Sequence, residues 1–126
     1  MSSKEPSSIV LVEQKEEIIN IVKTAADQAG FSLIVAEDGQ EGFDIAMERP
    51  PSLVIVRCNA PILDAPSLSL LLKQSNATKD IPVLVICSSD IHTSEHEKYR
   101  DAGCNDCLKE PFSVSDVLKK IEEWLQ

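Results

Sequence analysis

The sequence has no long run of apolar residues. None of its apolar stretches approaches the length needed to span a bilayer, and residues 1–8 contain no apolar stretch of the signal-peptide type. These absences exclude a membrane-spanning protein and predict no membrane partner. We therefore expect the chain to work in the cytoplasm.

Basic residues are also scarce. Lysine and arginine number 12 against 21 aspartates and glutamates, so the net charge is −9. Because phosphate backbones repel such a surface, we expect no nucleic-acid partner. The same acidity suits a basic protein partner.

Internal repeats, low-complexity segments and dividing linkers are absent from the 126 residues. A content of 43% hydrophobic and 26% charged residues is typical of a globular domain with a real core. We expect one domain over residues 8–126, preceded by a frayed segment, residues 1–7.

Four short apolar runs, rich in β-branched residues, predict strands at residues 9–12, 33–36, 53–56 and 83–86. A strand with one face in water would alternate apolar and polar side chains. These runs do not alternate, so both faces of each strand should be covered, as in a parallel sheet. A shorter fifth strand is expected around Cys107 and Leu108.

Between the strands, apolar residues recur at helical spacing. The first predicted helix ends at Gly30, and the second ends before Pro50 and Pro51. The third contains Leu68, Leu71 and Leu72, and a mostly polar fourth covers residues 94–102. The last helix opens with a capping-box pattern, Ser113 followed by Asp116.

Strand and helix therefore alternate five times, which predicts an α/β fold with a doubly wound parallel sheet. In such a sheet, functional groups gather beyond the carboxyl ends of the strands. The residues expected there are Glu13, Gln14, Arg57, Cys58, Cys87, Ser88, Lys109 and Glu110.

Four segments resemble the receiver domains of response regulators: AEDG at 36–39, PSLVIVRCNAP at 51–61, IPVLVI at 81–86 and AGCNDCLKEPF at 102–112. The resemblance covers nearly the whole chain with similar segment lengths. It implies a five-stranded, flavodoxin-like (βα)5 fold with strand order 2-1-3-4-5. It also implies a signalling role in two-component phosphorelays and not an enzymatic one.

The resemblance assigns a Mg²⁺ and phosphorylation site to positions whose residues differ from the family's pattern. Of the acidic pair that helps hold Mg²⁺, Glu13 remains and Gln14 replaces the second acid. Arg57 stands where the phospho-accepting aspartate should be, and it brings a permanent positive charge. We therefore expect no Mg²⁺, no other cofactor and no aspartyl phosphate.

Three further positions depart from the same pattern. Cys87 replaces the threonine or serine that detects the phosphoryl group, and Cys107 replaces the aromatic switch residue. Glu110 replaces the lysine that contacts the phosphoryl group. Because the charges of strands three and five are then exchanged, we predict an ion pair between Arg57 and Glu110, with Glu13 nearby. The alternative is an Arg57 side chain that extends into solvent.

The leading hypothesis is a signalling module that works through protein contacts without an aspartyl-phosphate switch. By resemblance, a signalling or histidine-kinase-related partner binds the face of the fourth helix, fifth strand and fifth helix. That face is expected to include Tyr99, Lys109, Val117 and Lys120.

Two other functions stay open at this point. One is phosphotransfer to a substitute acceptor, for which the candidates are Asp64, Ser88 and Ser89. The other is redox or metal sensing by the four cysteines, Cys58, Cys87, Cys104 and Cys107, of which the last two form a C-x-x-C motif. The spacing of His92 and His96 also fits a helical metal pair, although reduced packing thiols and exposed histidines explain these residues more simply.

Overall fold

A computed structural model describes residues 7–88 and 93–125, without the side chains of 93–95. The N-terminal segment predicted to be frayed lies, except for Ser7, outside the described residues. The elements are β1 (Ser8–Val12), α1 (Glu16–Ala29), β2 (Ser32–Ala36), α2 (Gly39–Glu48), β3 (Leu53–Arg57), α3 (Ala65–Lys73), β4 (Val83–Cys87), α4 (Thr93–Asp101), β5 (Asp106–Lys109) and α5 (Val114–Leu125).

The strands form one parallel sheet in the order β2-β1-β3-β4-β5. This confirms the predicted fold class and strand order. The register pairs Val12 with Val56 and Cys87 with Lys109. The carboxyl ends of the central strands therefore meet at one edge of the sheet.

Two apolar cores cover the two faces of the sheet. On one face, valines of β1, β3 and β4 pack against α2, α3 and α4, with Leu68, Leu72 and Tyr99 among the buried residues. On the other face, isoleucines and leucines of the same strands pack against α1 and α5, with Val22 and Ile121 buried. Successive strand residues point to opposite faces, which explains why these strands are apolar without alternation.

The expectation that both faces of every strand are covered is wrong for β2. Only Ala36 of this strand is buried, and Val35 is 38% exposed. The reason is position, because β2 is an edge strand. An apolar run alone does not distinguish an edge strand from a central one.

The predicted helix ends are confirmed at two places. Gly30 ends α1 in the left-handed conformation, with φ 85°. At the start of α5, the backbone N–H of Asp116 donates to Ser113 Oγ at 3.2 Å, and the N–H of Ser113 donates to Asp116 Oδ2 at 2.8 Å. This reciprocal pair is the capping box.

Gly39, the first residue of α2, lies in direct backbone contact with the loop between β3 and α3. Its N–H donates to the carbonyl of Pro61 at 2.9 Å. A Cβ atom at this position would lie 1.8 Å from the carbonyl oxygen of Leu63. The loop that follows Arg57 therefore needs glycine at residue 39.

We predict that Gly39→Ala destabilises the fold more than Gly30→Ala. A Cβ at residue 30 meets nothing within 4 Å, so that change carries mainly the left-handed backbone penalty of about 1 kcal/mol. The change at residue 39 forces a backbone shift and should cost about 3 kcal/mol. Urea unfolding followed by the fluorescence of Trp124 measures both, and equal costs would contradict the described contact.

Candidate functional site

Three charged residues at the ends of β1, β3 and β5 come together at the carboxyl edge of the sheet. Glu13 follows β1, Arg57 ends β3 and Glu110 follows β5. Backbone ladders position the two glutamates: the N–H of Glu13 donates to Ala36 O at 3.2 Å, and the N–H of Glu110 donates to Cys87 O at 2.9 Å. The backbone thus fixes where each carboxylate begins.

The guanidinium of Arg57 lies between the two carboxylates. Its Nε donates to Glu13 Oε1 at 2.9 Å, and Nη2 lies 2.8 Å from the same oxygen. Toward Glu110, Nη1 donates to Oε1 and Nη2 lies 3.3 Å from Oε2. We call these three side chains the Arg57 clamp. It joins the ends of β1, β3 and β5 through charge-assisted hydrogen bonds.

Glu13 is held on its other side as well. Its Oε2 accepts hydrogen bonds from the backbone N–H groups of Gln14 at 3.0 Å and Lys15 at 3.1 Å. The side chain is only 4% exposed. Both carboxylate oxygens are therefore already engaged by the protein.

Burial and hydrogen bonding act on the charges of the clamp in opposite directions. Burial disfavours the charged guanidinium, but the hydrogen bonds and charges of Glu110 and Glu13 outweigh it and raise the pKa of Arg57. The hydrogen bond from Arg57 lowers the pKa of Glu110 against the effect of burial, and the charges of Arg57 and Lys15 lower it further. Arg57 and Glu110 are therefore ionised throughout the physiological range of pH.

The remaining residues predicted for this site do not join the clamp. Gln14 is exposed, and its side-chain amide donates to the carbonyl of Glu37 at 3.1 Å. Cys87 is buried, with Sγ 4.0 Å from the carbonyl oxygen of Leu108. Cys107 packs against the core on the α4 side of the sheet.

An open cleft of about 300 Å³ adjoins the clamp. Its walls include Glu13, Lys15, Glu37 and Arg57, so they carry both signs of charge. The guanidinium of Arg57 already binds two carboxylates of the protein. The cleft is therefore a mixed polar surface and not a strongly charged cradle for an anion.

The candidate substitute acceptors of a phosphoryl group lie in different surroundings. Asp64 caps α3, because its Oδ1 accepts from the N–H of Ser67 at 3.0 Å. Ser88 is exposed directly after β4. Ser89 and His92 lie outside the described residues, so their predicted roles stay predictions.

The cysteines are all free thiols. Burial, with the neighbouring Cys107 and Cys58, raises the pKa of Cys87 to about 12. Burial also raises the pKa of Cys104, although Ser69 and Lys73 oppose it. Within the described side chains, no group of three or more histidines, cysteines or acids could hold a metal ion.

The face of α4, β5 and α5 differs from its expected composition. Val117 is fully buried and Tyr99 is 9% exposed, so these two residues belong to the core, because each points toward the sheet from its helix. Lys109 is exposed, and Lys120 is half-buried. The accessible surface of this face is therefore formed by its polar residues and not by Tyr99 or Val117.

Asp106 organises this face and was missed by the sequence analysis. Its Oδ2 accepts from Lys120 Nζ at 2.7 Å and from Trp124 Nε1 at 3.0 Å. Burial would raise the pKa of Asp106, but these hydrogen bonds and one from the N–H of Cys107 lower it. The sequence signal that could have indicated these contacts is the spacing of Lys120 and Trp124, which lie four residues apart on one helix face.

The fold agrees with the comparisons to known proteins. The response regulator receiver domain family matches residues 9–122. The chain belongs to this family of signalling modules. Among the described helices, none combines the length and apolar composition that crossing a membrane requires.

Two relatives are polar-differentiation response regulators named DivK. The protein of Brucella anthropi is 25% identical over 120 residues, which cover 95% of this chain and 97% of the relative. The protein of Brucella ovis is 25% identical over 118 residues, which cover 94% and 95% of the two chains.

Two solved structures share the fold. The chemotaxis response regulator CheY4 of Vibrio cholerae has a TM-score of 0.85 at 18% identity, covering 94% of this chain and 98% of its own. The receiver domain of the sensor histidine kinase PA1611 of Pseudomonas aeruginosa has a TM-score of 0.84 at 19% identity, covering 96% and 98%. Its structure holds a magnesium ion coordinated in the active-site cleft. Identities this low support the fold alone.

We predict that Arg57→Met costs about 3 kcal/mol of unfolding free energy, because it leaves the buried Glu13 carboxylate without its cation. Glu110→Gln should cost about 1 kcal/mol, since that side chain is 23% exposed. The double variant should cost less than the sum, because both changes break the same contact. Urea unfolding of the four proteins gives the coupling.

The exposed helical pair Lys23 and Asp27 is the control for this cycle. Both side chains are 60% exposed, so Lys23→Met should change stability by no more than about 0.5 kcal/mol. An Arg57→Met variant as stable as the Lys23 variant would show that the clamp contributes nothing to the fold.

The clamp also predicts a pH dependence. Folding lowers the pKa of Glu110 below its ordinary value, so as pH falls the unfolded carboxylate takes up its proton first. The stability that Glu110 contributes is present above about pH 4.3 and is lost as pH falls through the lower, folded pKa. Between about pH 5 and about pH 3, Glu110→Gln should therefore lose less stability than the unmodified protein. Parallel unfolding curves across this range would contradict the prediction.

Proposed function

We propose that this receiver domain signals through protein contacts in the cytoplasm, without aspartyl phosphorylation and without binding Mg²⁺. The observation that supports it is the Arg57 clamp, in which a cation of the protein lies between Glu13 and Glu110. The family resemblance places the phospho-accepting aspartate at position 57. A guanidinium there supplies neither a carboxylate nucleophile nor a metal ligand.

The residues present do not fit a Mg²⁺ ion. Mg²⁺ requires an octahedral shell of oxygen ligands, and both oxygens of Glu13 already accept hydrogen bonds. A dication about 4 Å from the guanidinium would be repelled by about 8 kcal/mol at an effective dielectric constant of about 20. The attraction of Glu13 and Glu110 would have to offset this repulsion after both had given up their bonds to Arg57.

The positions around the clamp also oppose a phosphoryl group. Glu110 takes the place of the lysine that the resemblance expects, so a negative charge meets an incoming phosphoryl group. Cys87 takes the place of the hydroxyl residue, and a thiol is a weak hydrogen-bond donor. Without a ligand that binds two conformations differently, the usual switch has nothing to shift its populations.

A protein partner then has to recognise a domain whose carboxyl edge has one fixed conformation. We place the contact on the face of α4, β5 and α5, where Lys109 is exposed and Asp106 binds Lys120 and Trp124. The partner we propose is a signalling protein, such as one related to histidine kinases. The net charge of −9 disfavours nucleic acid.

Phosphotransfer to another acceptor is less well supported. The Asp64 carboxylate is engaged at the start of α3, and displacing a nucleophile from a positioned site is costly in rate. Ser88 offers a hydroxyl next to β4, but the described side chains include no group of three or more histidines, cysteines or acids that could hold a metal ion beside it.

We predict that acetyl phosphate with millimolar Mg²⁺ adds no phosphoryl group to the protein, as measured by intact mass. A stable adduct of that mass would overturn the proposal. We also predict that Mg²⁺ leaves the melting temperature unchanged, because the clamp competes for the carboxylates.

Arg57→Asp is the matched variant for this experiment. It exchanges the cation for a carboxylate beside Glu13 and Glu110, so Mg²⁺ should raise its melting temperature. Stabilisation of the unmodified protein by Mg²⁺, equal to that of the variant, would show that Arg57 does not exclude the ion.

A further inference from the structure

Three cysteines lie on the face of the sheet that α2, α3 and α4 cover: Cys58 and Cys87 at its carboxyl edge, and Cys107 nearer the middle of the adjacent strand β5. Cys58 N–H donates to Ile86 O at 2.9 Å, which continues the β3–β4 ladder beyond Arg57 and sets Cys58 beside Cys87. Cys107 pairs with Val85, two residues before Cys87. Because side chains alternate along a strand, the three thiols lie on one face.

Cys87 and Cys107 are the pair that point toward each other. The Sγ atom of Cys87 lies 4.0 Å from the carbonyl oxygen of Leu108, so it leans toward β5 beside Cys107. Their mutual interaction contributes to the raised pKa of Cys87. Cys58 instead places its Sγ 3.8 Å from Asn59 Oδ1, toward the loop after β3.

The two thiols differ in their access to solvent. Cys87 is fully buried. Cys107 lines an open pocket of about 260 Å³ between α4 and β5, whose walls include His96 and Arg100. A small oxidant reaches Cys107 through this pocket without opening the core.

We propose that Cys87 and Cys107 form an oxidation-sensitive dithiol, in which a hydroperoxide oxidises Cys107 and Cys87 then closes a disulfide between β4 and β5. In the first step, the Cys107 sulfur attacks one peroxide oxygen and the O–O bond breaks. With hydrogen peroxide, the products are a sulfenic acid and water. In the second step, the Cys87 sulfur attacks the sulfenic sulfur, the S–O bond breaks, and the hydroxyl leaves as water with the Cys87 proton.

Geometry gives this bond a structural consequence. Paired parallel strands lie about 4.8 Å apart and rise about 3.3 Å per residue, so Cα atoms two residues out of register lie about 8 Å apart, whereas a disulfide needs Cα atoms within about 7 Å. The offset between Cys87 and Cys107 runs along the strands, so closure shifts β5 along β4. Asp106, next to Cys107, carries the hydrogen bonds to Lys120 and Trp124, so the shift reaches the face of α4, β5 and α5. This inference goes beyond the proposed function and does not depend on the clamp.

The test is treatment of the full chain with hydrogen peroxide, followed by non-reducing peptide mapping. The expected product is a peptide pair joined through Cys87 and Cys107, and a change in Trp124 fluorescence that dithiothreitol reverses. Cys107→Ser should abolish both signals. Cys87→Ser should leave a sulfenic acid on Cys107 that dimedone traps.

Cys58→Ser and Cys104→Ser are the matched controls, and both should still form the bond. A disulfide that joins Cys58 to Cys87 would overturn the assignment. So would over-oxidation of Cys107 to sulfinic acid while Cys87 stays a free thiol. Phosphorylation assays on the same samples keep the two proposals separate, because failure of the disulfide leaves the clamp untouched.

Discussion

The guanidinium of Arg57 connects more of this structure than any other described side chain at the carboxyl edge of the sheet. It hydrogen-bonds to Glu13 after β1 and to Glu110 after β5 from its own place at the end of β3. A magnesium ion held at such an edge arrives from solution and leaves again. A guanidinium attached to the backbone does neither, and its charge persists at every physiological pH. The contacts that join the ends of β1, β3 and β5 are therefore a permanent part of the fold.

A permanent cation at residue 57 changes which side chains are needed at the neighbouring positions. If no phosphoryl group arrives, as we propose, then a hydroxyl at residue 87 and an aromatic ring at residue 107 have nothing to detect. Both positions hold small, apolar thiols that pack in or against the core. The described contacts give Glu110 an electrostatic reason, because it supplies the second carboxylate bound by the partly buried Arg57. The described contacts thus explain Glu110 directly and the cysteines only indirectly.

The sequence was sufficient for the fold because its strong signals were periodic. Apolar runs and helical spacing located the strands and helices, and the ends of the strands located the clamp residues. Periodicity could not separate the edge strand β2 from a central strand, since both read as apolar runs. Nor could it show that Tyr99 and Val117 point inward, or that Asp106 binds Lys120 and Trp124. Those facts depend on how α4 and α5 rotate about their axes when they pack, which is a tertiary property.

The region around the carboxyl edge of the sheet therefore has two parts with different chemistry, the Arg57 clamp and the thiols. The clamp joins the ends of β1, β3 and β5 through hydrogen bonds between Arg57 and the carboxylates of Glu13 and Glu110. The thiols lie on β4 and β5, together with Cys58 after β3, and all of them are free. A conformational change needs an event that distinguishes two states. If the clamp excludes phosphorylation, as we propose, such an event comes from a partner on the proposed face of α4, β5 and α5, or from the thiols beneath it. Both routes act through β5, the edge strand whose position Asp106 couples to α5.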